Sequence, residues 1–256
     1  MIEFINASKT YVDSHRREIA AVSELVLHVP QGSTVCLIGT SGSGKTTALK
    51  MVNRLIEPTT GVIRVDGRDV QDTDPIKLRR GIGYVIQRGG LFPHMTIEKN
   101  CGIMCRLEGW DRRRIRARVS ALLELVNLNP EEYAHRAPSE LSGGQRQRVG
   151  VARALALDPA VILMDEPFGA VDPITRAQLH EEFLQLKSRV GKTVLLVTHD
   201  MAEAFKLGDQ VALMNEGRLV QVGTQEDFEH HPATAFVSAF MADHFNEDLS
   251  PSNRDN

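Results

Sequence analysis

The chain of 256 residues lacks long apolar stretches. No apolar run approaches the roughly 20 residues that a membrane-spanning helix needs. If the protein acts at a membrane, we therefore expect other chains to cross it. The opening segment MIEFINASKT also lacks the charged-then-apolar pattern of a secretory signal. These absences favour a location in the cytoplasm.

Cysteine is scarce, and Cys36, Cys101 and Cys105 are the whole set. An odd number of cysteines without a signal segment fits a reducing compartment. Cys101 and Cys105 are four positions apart and could share one face of a helix. Two thiolates without further nearby ligands make a poor metal site, so we expect buried thiols and keep a metal site as the less favoured alternative.

A strong charge of one sign is missing as well. The 30 basic residues nearly balance the 33 acidic ones, and the formal net charge is -3. Proteins that bind nucleic acid usually carry a basic excess that neutralises phosphates. The basic run at residues 112–118 has no interleaved aromatic residues for stacking on bases, so an exposed helix face explains it better. We expect no nucleic-acid partner.

What is present is an alternation of strand-like and helix-like segments. The apolar strands at residues 34–38, AVILMD and TVLLVT each lead into a segment with helical spacing, and the first of these segments is KTTALKMVNRLIE. Strands that are apolar throughout are typical of a parallel sheet with helices on both faces, so the fold class is α/β. Residues 2–6 and 19–29 read as half-buried strands, residues 96–128 as largely helical, and the segments QVALMNEG and RLVQVG as a hairpin.

The motif GTSGSGKT at residues 39–46 matches the phosphate-loop pattern GxxxxGK[ST] between an apolar strand and a helix. Its glycines let backbone N–H groups converge on phosphates, and the positive end of the following helix faces the same anions. Lys45 would add a mobile cation, and Thr46 would hold Mg²⁺. A glycine-rich turn that ends in Lys-Thr by chance is the weaker alternative. The predicted nucleotide-binding residues of this segment are Gly39, Thr40, Ser41, Gly42, Ser43, Gly44, Lys45, Thr46 and Thr47.

The strand VILMDE would deliver two carboxylates, Asp165 and Glu166, to the carboxyl edge of the sheet, where α/β proteins bind ligands. Such a pair suits metal-assisted hydrolysis. We expect Asp165 to support Mg²⁺ and Glu166 to polarise the attacking water. Alone, an apolar strand that ends in Asp-Glu usually marks only a strand end, and the phosphate loop makes it informative.

The motif LSGGQRQR at residues 141–148 predicts a second anion site, because a serine and two glycines open a helix there. LSGGQ resembles the signature of ABC ATPases, which closes over nucleotide bound to the phosphate loop of a partner subunit. The resemblance implies two ATP molecules held between two copies, with an identical partner as the expected arrangement. The signature residues that would then bind ATP are Ser142, Gly143, Gly144 and Gln145.

The same resemblance implies roles for four single residues. Tyr11 resembles the aromatic residue that stacks on adenine. Gln87, which ends the predicted strand IGYVIQ, matches the glutamine that reaches Mg²⁺ and the attacking water while linking to membrane subunits. Asp172, in GAVD, matches the loop that crosses to the partner. His199 matches the switch histidine, which contacts the γ-phosphate and orients Glu166; read alone, it would more often be an ordinary histidine at a strand end.

The sequence departs from this family pattern at two places. Arg88-Gly89-Gly90 follow Gln87, and the crossing loop reads GAVD where many relatives have SALD. We expect neither departure to touch the phosphate chemistry, although both could alter the coupling between subunits.

The resemblance also implies the domain organisation. We expect a P-loop NTPase of the ABC ATPase type, with a mostly parallel sheet core, an N-terminal antiparallel β subdomain and a helical insertion. The nucleotide-binding domain would cover residues 1–241, the helical subdomain about 96–157, and a flexible tail 242–256.

The likeness is closest to importer ATPases for quaternary amines such as glycine betaine and choline, through MVNRLIEPTTGVIRVDG, GLFPHMTIEKN and MDEPFGAVDPITR. It implies integral membrane permease subunits that are contacted near residues 92–96, an extracytoplasmic solute-binding protein, and a peripheral place on the cytoplasmic face of the inner membrane. Some relatives carry paired regulatory domains after the ATPase. The chain ends before such domains, so we expect any osmotic control elsewhere in the complex.

Three alternatives stay open. The first is an ABC importer ATPase for another small solute, such as an amino acid. The second is a soluble ABC ATPase that acts on ribosomes or DNA, although such proteins generally have two cassettes or a long coiled coil. The third is a P-loop kinase, which would leave LSGGQ and Glu166 without a role.

Overall fold

The computed structural model describes residues 1–87 and 90–248, with side chains as far as residue 243. Arg88 and Gly89, which belong to the departure after Gln87, lie outside the described residues. The strands are β1 (Ile2–Val12), β2 (Glu18–Val29), β3 (Thr34–Gly39), β4 (Thr60–Val65), β5 (Arg68–Asp69), β6 (Ile82–Val85), β7 (Val161–Asp165), β8 (Thr193–Val197), β9 (Gln210–Asn215) and β10 (Arg218–Gly223).

The helices lie between and after these strands. They are α1 (Lys45–Val52), α2 (Pro75–Gly81), α3 (Ile97–Cys101), α4 (Ile103–Leu107), α5 (Arg112–Leu125), α6 (Pro130–Tyr133), α7 (Gly143–Ala154), α8 (Pro173–Val190), α9 (Met201–Leu207), α10 (Gln225–His230) and α11 (Ala235–Asp248). Within the described ranges, no helix combines the length and the apolarity that crossing a membrane requires.

The smaller sheet is antiparallel, with the strand order β2-β1-β4-β5. Ile2 of β1 lies opposite Val29 on one side and opposite Val65 on the other. The predicted strands at 2–6 and 19–29 are therefore confirmed, and the first of them continues to Val12. The N-terminal antiparallel sheet that the resemblance implies is present.

The larger sheet has the order β10-β9-β3-β8-β7-β6, and all its pairings are parallel except that of β9 with β10. The predicted hairpin turns through Glu216 and Gly217, whose φ angles are positive, 47° for Glu216 and 78° for Gly217. Such angles at two successive residues are those of the tight turns that match strand twist. The predicted mostly parallel core and its antiparallel edge are confirmed.

The strand β3 shows why the core sequence is apolar at every position. Its successive side chains point to opposite faces of the sheet. Leu37 packs in a cluster with Leu49 of α1, whereas Cys36 belongs to a second cluster with Val149 of α7. Both faces are thus covered by helices, and the strand is buried throughout. All three cysteines are free and buried, which confirms that prediction.

The predicted helical region contains α3 to α7, which all lie inside residues 96–157. Thr96 begins it as the N-cap of α3, since its hydroxyl oxygen accepts a hydrogen bond from the Lys99 N–H. Gly102 separates α3 from α4, and a segment around Gly109 separates α4 from α5. The region is thus divided into several helices, and the side chains of Thr96, Asp111, Asn129 and Ser142 cap four of them.

Three helices differ from the predictions. Helix α1 ends at Val52, well before the end of the helical pattern KTTALKMVNRLIE. Helix α2 was not predicted, although Asp74 caps it with bonds from two backbone N–H groups and Pro75 occupies its first position. Helix α11 continues to Asp248, beyond residue 241 where the nucleotide-binding domain was predicted to end, and the flexibility of 242–256 stays a prediction; residues 249–256 lie outside the described residues.

Candidate functional site

Four neighbouring parallel strands bring their carboxyl ends to one edge of the larger sheet. They are β3, β8, β7 and β6, in this spatial order. The segments that leave these ends carry the glycine-rich loop at 39–46, His199, Glu166 and Gln87 respectively. Because the strands are adjacent, these segments meet where open α/β sheets place their ligands. Gln87 lies in a turn two residues after β6 ends at Val85, which corrects its predicted position at the end of the strand.

The glycine-rich loop passes very close to two other backbones. Gly39 and Gly44 have φ angles of 143° and 98°, a region that glycine populates freely. A Cβ atom on Gly39 would lie 2.0 Å from the carbonyl oxygen of Met214. A Cβ atom on Gly44 would lie 2.2 Å from the carbonyl oxygen of Ala21. Glycine is therefore required at both positions by conformation and by space.

The ammonium group of Lys45 is held against the same loop. Its Nζ donates hydrogen bonds of 2.8 Å to the carbonyl oxygens of both Gly39 and Thr40, and lies 3.3 Å from Ser43 Oγ. Burial lowers the pKa of Lys45, and the negative charge of Glu166 partly opposes that shift. An anion at this loop would offer the ammonium a stronger, charged acceptor than these neutral oxygens.

The hydroxyl oxygen of Thr46, at the start of α1, lies next to the carboxylate of Asp165, at the end of β7, and oxygen atoms of both kinds suit a hard cation. The Thr46 hydroxyl donates to Asp165 Oδ1 at 3.0 Å, and the Tyr84 hydroxyl lies 3.5 Å from Asp165 Oδ2. Burial, together with this neighbouring carboxylate, raises the pKa of Tyr84. The described residues contain no cluster of three or more metal-binding His, Cys, Asp or Glu side chains. Mg²⁺ typically uses one or two carboxylates, waters and substrate phosphates, so these residues fit it.

The carboxylate of Glu166 is contacted from two sides. Its Oε2 accepts a 3.0 Å hydrogen bond from Gln87 Nε2 and lies 3.5 Å from His199 Nδ1. Glu166 itself has a φ angle of 46°, and its N–H donates to the Val197 carbonyl of β8 at 2.9 Å. A non-glycine residue in this region carries a cost of about 1 to 2 kcal/mol. Strain of this kind concentrates at functional positions.

Gly169 lies against these three side chains. A Cβ atom on Gly169 would lie 3.5 Å from Glu166 Oε2, 3.7 Å from His199 Cε1 and 3.8 Å from Gln87 Nε2. The first position of GAVD is thus next to the carboxylate that is predicted to act on water. The expectation that this departure does not touch the phosphate chemistry stays a prediction, but Gly169 lies closer to the predicted site than that expectation assumed.

An open cleft of about 550 Å³ lies over the loop. Tyr11 and Gln87 are not among the residues that line it; Tyr11 is exposed on β1 with the Lys9 ammonium 5.2 Å from its ring centre. Ala21 of β2 was missed by sequence reasoning, because no local pattern indicates which strand approaches the loop. The lining residues are Ala21, Ser41, Gly42, Ser43, Gly44, Lys45, Thr46, Thr47, Glu166 and His199.

The LSGGQ segment lies apart from this cleft. Ser142 caps α7, since its Oγ accepts from the Gln145 N–H at 3.2 Å, while Gln145 Oε1 accepts from the Ser142 N–H at 2.9 Å. A Cβ atom on Gly144 would lie 2.6 Å from Thr175 Cγ2, so glycine lets α7 approach α8. None of the signature residues lines the cleft over the phosphate loop. One chain therefore holds its two predicted anion sites apart.

Asp172 is the N-cap of α8 and lies on the surface of the chain. Its Oδ1 accepts a hydrogen bond from the Thr175 N–H at 3.0 Å, and this N–H lowers the pKa of the Asp172 carboxyl. The next apolar side chain, Ile174, is 77% exposed. The loop that is predicted to cross to a partner is thus open to solvent in the single chain.

A mostly parallel sheet with a glycine-rich loop between β3 and α1, and with carboxylates at the end of a nearby strand, defines a P-loop nucleotide-binding protein. The sequence model of the ABC transporter family matches residues 22–169. The chain belongs to the ABC transporter family.

Individual relatives agree with this assignment. The choline transport ATP-binding protein OpuBA of Bacillus subtilis (strain 168) is 51% identical over 241 residues, which are 94% of this chain and 62% of the relative. The osmoprotectant import ATP-binding protein OsmV of Salmonella typhimurium (strain LT2) is 48% identical over 94% of this chain and 63% of its own length. The chain thus spans less than two thirds of the length of these relatives.

Solved structures share the fold. A structure described as the dimeric form of MJ0796, a bacterial ABC transporter cassette, superposes with a TM-score of 0.78 and 34% sequence identity. The similarity covers 88% of this chain and 98% of that one. The architecture of an ABC ATPase cassette therefore extends over most of the chain.

Proposed function

We propose that the chain is the ATP-binding and ATP-hydrolysing subunit of an import system for a quaternary amine such as choline or glycine betaine. The single observation that carries the hydrolytic part is the contact of Gln87 and His199 with one oxygen of Glu166, beside the glycine-rich loop. The printed names of OpuBA and OsmV, which concern choline transport and osmoprotectant import, support the solute class.

In this proposal the loop binds the phosphates of ATP and Glu166 acts as the general base. Lys45 exchanges its bonds with the loop carbonyls for bonds to phosphate oxygens. Glu166 Oε2 takes a proton from a water molecule, whose oxygen attacks the terminal phosphoryl group while the bond to the leaving ADP breaks. Gln87 and His199 hold this carboxylate in position, and His199 also contacts the terminal phosphate. Tyr11 stacks on the adenine at the outer end of β1.

Thr46 and Asp165 would hold Mg²⁺ through their oxygen atoms, and Gln87 would add the oxygen of its amide. The ion, when bound, would neutralise charge on the phosphates. Asp165 keeps Thr46 in place through the 3.0 Å hydrogen bond between their side chains. The hydroxyl of Tyr84 supports the other carboxylate oxygen of Asp165 at 3.5 Å.

We further propose that two copies form the complete sites. Ser142, Gly143, Gly144 and Gln145 would contact the ATP that is bound to the partner's loop. Support comes from the absence of the signature residues from the lining of the cleft, and from the exposure of Asp172 and Ile174 on the predicted crossing loop. The relative MJ0796, at 34% identity, is described as dimeric.

A groove of about 510 Å³ beside α2, β6 and α4 is the proposed contact with a permease subunit. The exposed side chains of Phe92 and Leu107 line it, and the guanidinium of Arg153 lies 5.8 Å from the Phe92 ring centre. An apolar groove with basic residues suits an amphipathic helix of a partner. The assembly would include an extracytoplasmic solute-binding protein and would lie on the cytoplasmic face of the inner membrane.

The decisive experiment is isolation of the intact complex from membranes, followed by measurement of the solute that its binding protein retains. We expect a quaternary amine, and we expect that solute to stimulate ATP hydrolysis. Retention of an amino acid instead would overturn the solute class and leave the ATPase intact. Recovery of the chain with ribosomes, and not with membrane fragments, would overturn the import function.

A further inference from the structure

We propose that His180 and Glu203 act as positioning residues, which hold the segments of Glu166, Asp172 and His199 in one arrangement. The inference rests on the proposed ATP hydrolysis and adds two residues to it. Neither residue lines the cleft over the loop, so each acts through its neighbours.

The two side chains form a buried pair between α8 and α9. His180 Nε2 lies 3.0 Å from Glu203 Oε2, and the two residues are 7% and 4% exposed. A carboxylate offers only acceptors, so the imidazole nitrogen donates. Away from water this bond is strong, and loss of one partner leaves the other uncompensated. The pair is therefore a buried constraint on how α8 and α9 lie against each other.

Glu203 is connected to the switch histidine through the start of α9. Its backbone N–H donates to Asp200 Oδ1 at 2.9 Å, which makes Asp200 the N-cap of the helix. Asp200 follows His199 directly, and its Oδ2 lies 3.5 Å from Nη1 of Arg176 in α8. A shift of Glu203 would therefore move the first turn of α9, and His199 with it.

His180 is connected to the catalytic carboxylate through Phe168, the second residue after Glu166. The rings of Phe168 and His180 meet edge to face, with centres 4.9 Å apart and an angle of 79° between planes. Phe168 is itself buried and also contacts Phe183 of α8. The segment that carries Glu166 thus packs on the same imidazole that binds Glu203.

The third connection runs along α8 itself. Asp172 is the N-cap of this helix and His180 lies about two turns further on. An α-helix transmits a displacement along its length as a rigid element. The three segments that must meet nucleotide and partner therefore share one buried contact.

A second pair joins the same two helices on the outside and provides a matched control. Lys206 Nζ lies 2.8 Å from Glu181 Oε1, with side chains 40% and 63% exposed. Exposed ion pairs contribute little because water screens them. This pair bridges α8 and α9 as the buried one does, but it lies in solvent.

The test compares the full-length variants H180L, H180Q and E203Q with E181Q and K206M. We expect H180L to lower kcat by at least about 10-fold, with the KM for ATP changed less than about 3-fold, since misplacement of catalytic groups affects the chemical step. H180Q should recover most of the rate, because its amide nitrogen can donate to the same carboxylate. E203Q keeps an acceptor for the imidazole N–H, so it should lower kcat by less than H180L does. E181Q and K206M should stay within about twofold of the unchanged chain.

Hydrogen exchange of the backbone amides at 198–207 provides a readout that does not depend on turnover. We expect faster exchange there in H180L and not in E181Q. Unchanged kcat and exchange in H180L would overturn the inference, and so would an equal loss in E181Q. If H180L does not fold, E203Q decides: a measurable loss of kcat with faster exchange at 198–207 supports the inference, and unchanged kcat and exchange overturn it. Absence of hydrolysis in the unchanged chain would instead contradict the proposed function, while the exchange result would still report on the pair.

Discussion

Nδ1 of His199 and Oε2 of Glu166 lie 3.5 Å apart, although the two residues follow different strands of the larger sheet. The amide nitrogen of Gln87 reaches the same oxygen at 3.0 Å. A carboxylate that is contacted from two sides has a fixed orientation. In our proposal this fixed orientation is what makes Glu166 an effective base.

Replacement of Glu166 by Gln removes the base and keeps the volume of the side chain. We expect turnover to fall by about 10² to 10⁴-fold, the usual contribution of a general base. ATP should still bind, because Lys45 and the loop glycines are unchanged. Phosphate release and retention of labelled nucleotide measure the two effects. Hydrolysis at the unchanged rate would contradict the role of Glu166.

Two glycines of the loop provide a second prediction. A Cβ atom on Gly39 would meet the backbone oxygen of Met214 at 2.0 Å, whereas one on Gly42 would meet nothing within 4 Å. Gly42 has a φ angle of 78°, so Gly42→Ala should cost only about 1 to 2 kcal/mol of unfolding free energy. Gly39→Ala should cost more and should abolish nucleotide binding, because β3 or β9 must shift. Urea unfolding would measure the change in stability, and titration with a fluorescent nucleotide would measure binding. Equal losses of stability and binding in the two variants would contradict the close packing of Gly39 against Met214.

The cap of α8 provides a third prediction. The Thr175 N–H lowers the pKa of Asp172, so the cap stabilises the fold above the ordinary carboxyl pKa of about 4. That stabilisation is lost as the pH falls through the lower pKa of the folded state. Asp172→Ala should therefore lower the melting temperature at neutral pH, and the difference should shrink in acid. Asp172→Ser should melt close to the unchanged chain, because serine also caps helices. A difference that does not depend on pH would contradict this account.

The buried thiols provide a fourth prediction. Burial raises the pKa of Cys101 to about 12 and also raises the pKa of Cys36 and that of Cys105. Because the thiolate is the reactive form, none should react with a thiol reagent at pH 8 in the native protein. All three should react after denaturation. Rapid modification of one thiol in the native state would contradict this account, because the strand or helix that carries the thiol would have to open locally.

Much of the fold could be predicted because its signals are local. The strands β3, β7 and β8 are apolar at nearly every position, and the motif of the loop at 39–46 consists of consecutive residues. The end of α1 and the length of α11 were not predicted. Helical spacing continues beyond Val52, where Asn53 ends the helix, and α11 continues through a polar sequence.

The site was only partly predictable, because it depends on which strands are neighbours. The roles of Gln87 and His199 came from the family resemblance, since no pattern in one sequence gives the order β3-β8-β7-β6. The contacts of Ala21 and Gly169 depend on packing between distant segments. The pair of His180 and Glu203 was not predictable for the same reason, because 23 positions separate its members.

The central claim is that each active site is shared between two copies, and a mixing experiment tests it most directly. One chain carries Lys45→Ala, which disables its loop, and the other carries Ser142→Arg, which disables its signature. Each variant alone should be inactive, because both sites of its dimer are damaged. A mixture of the two should regain ATP hydrolysis, because each mixed dimer contains one intact loop facing one intact signature. A mixture that stays inactive although mixed dimers form would contradict the account.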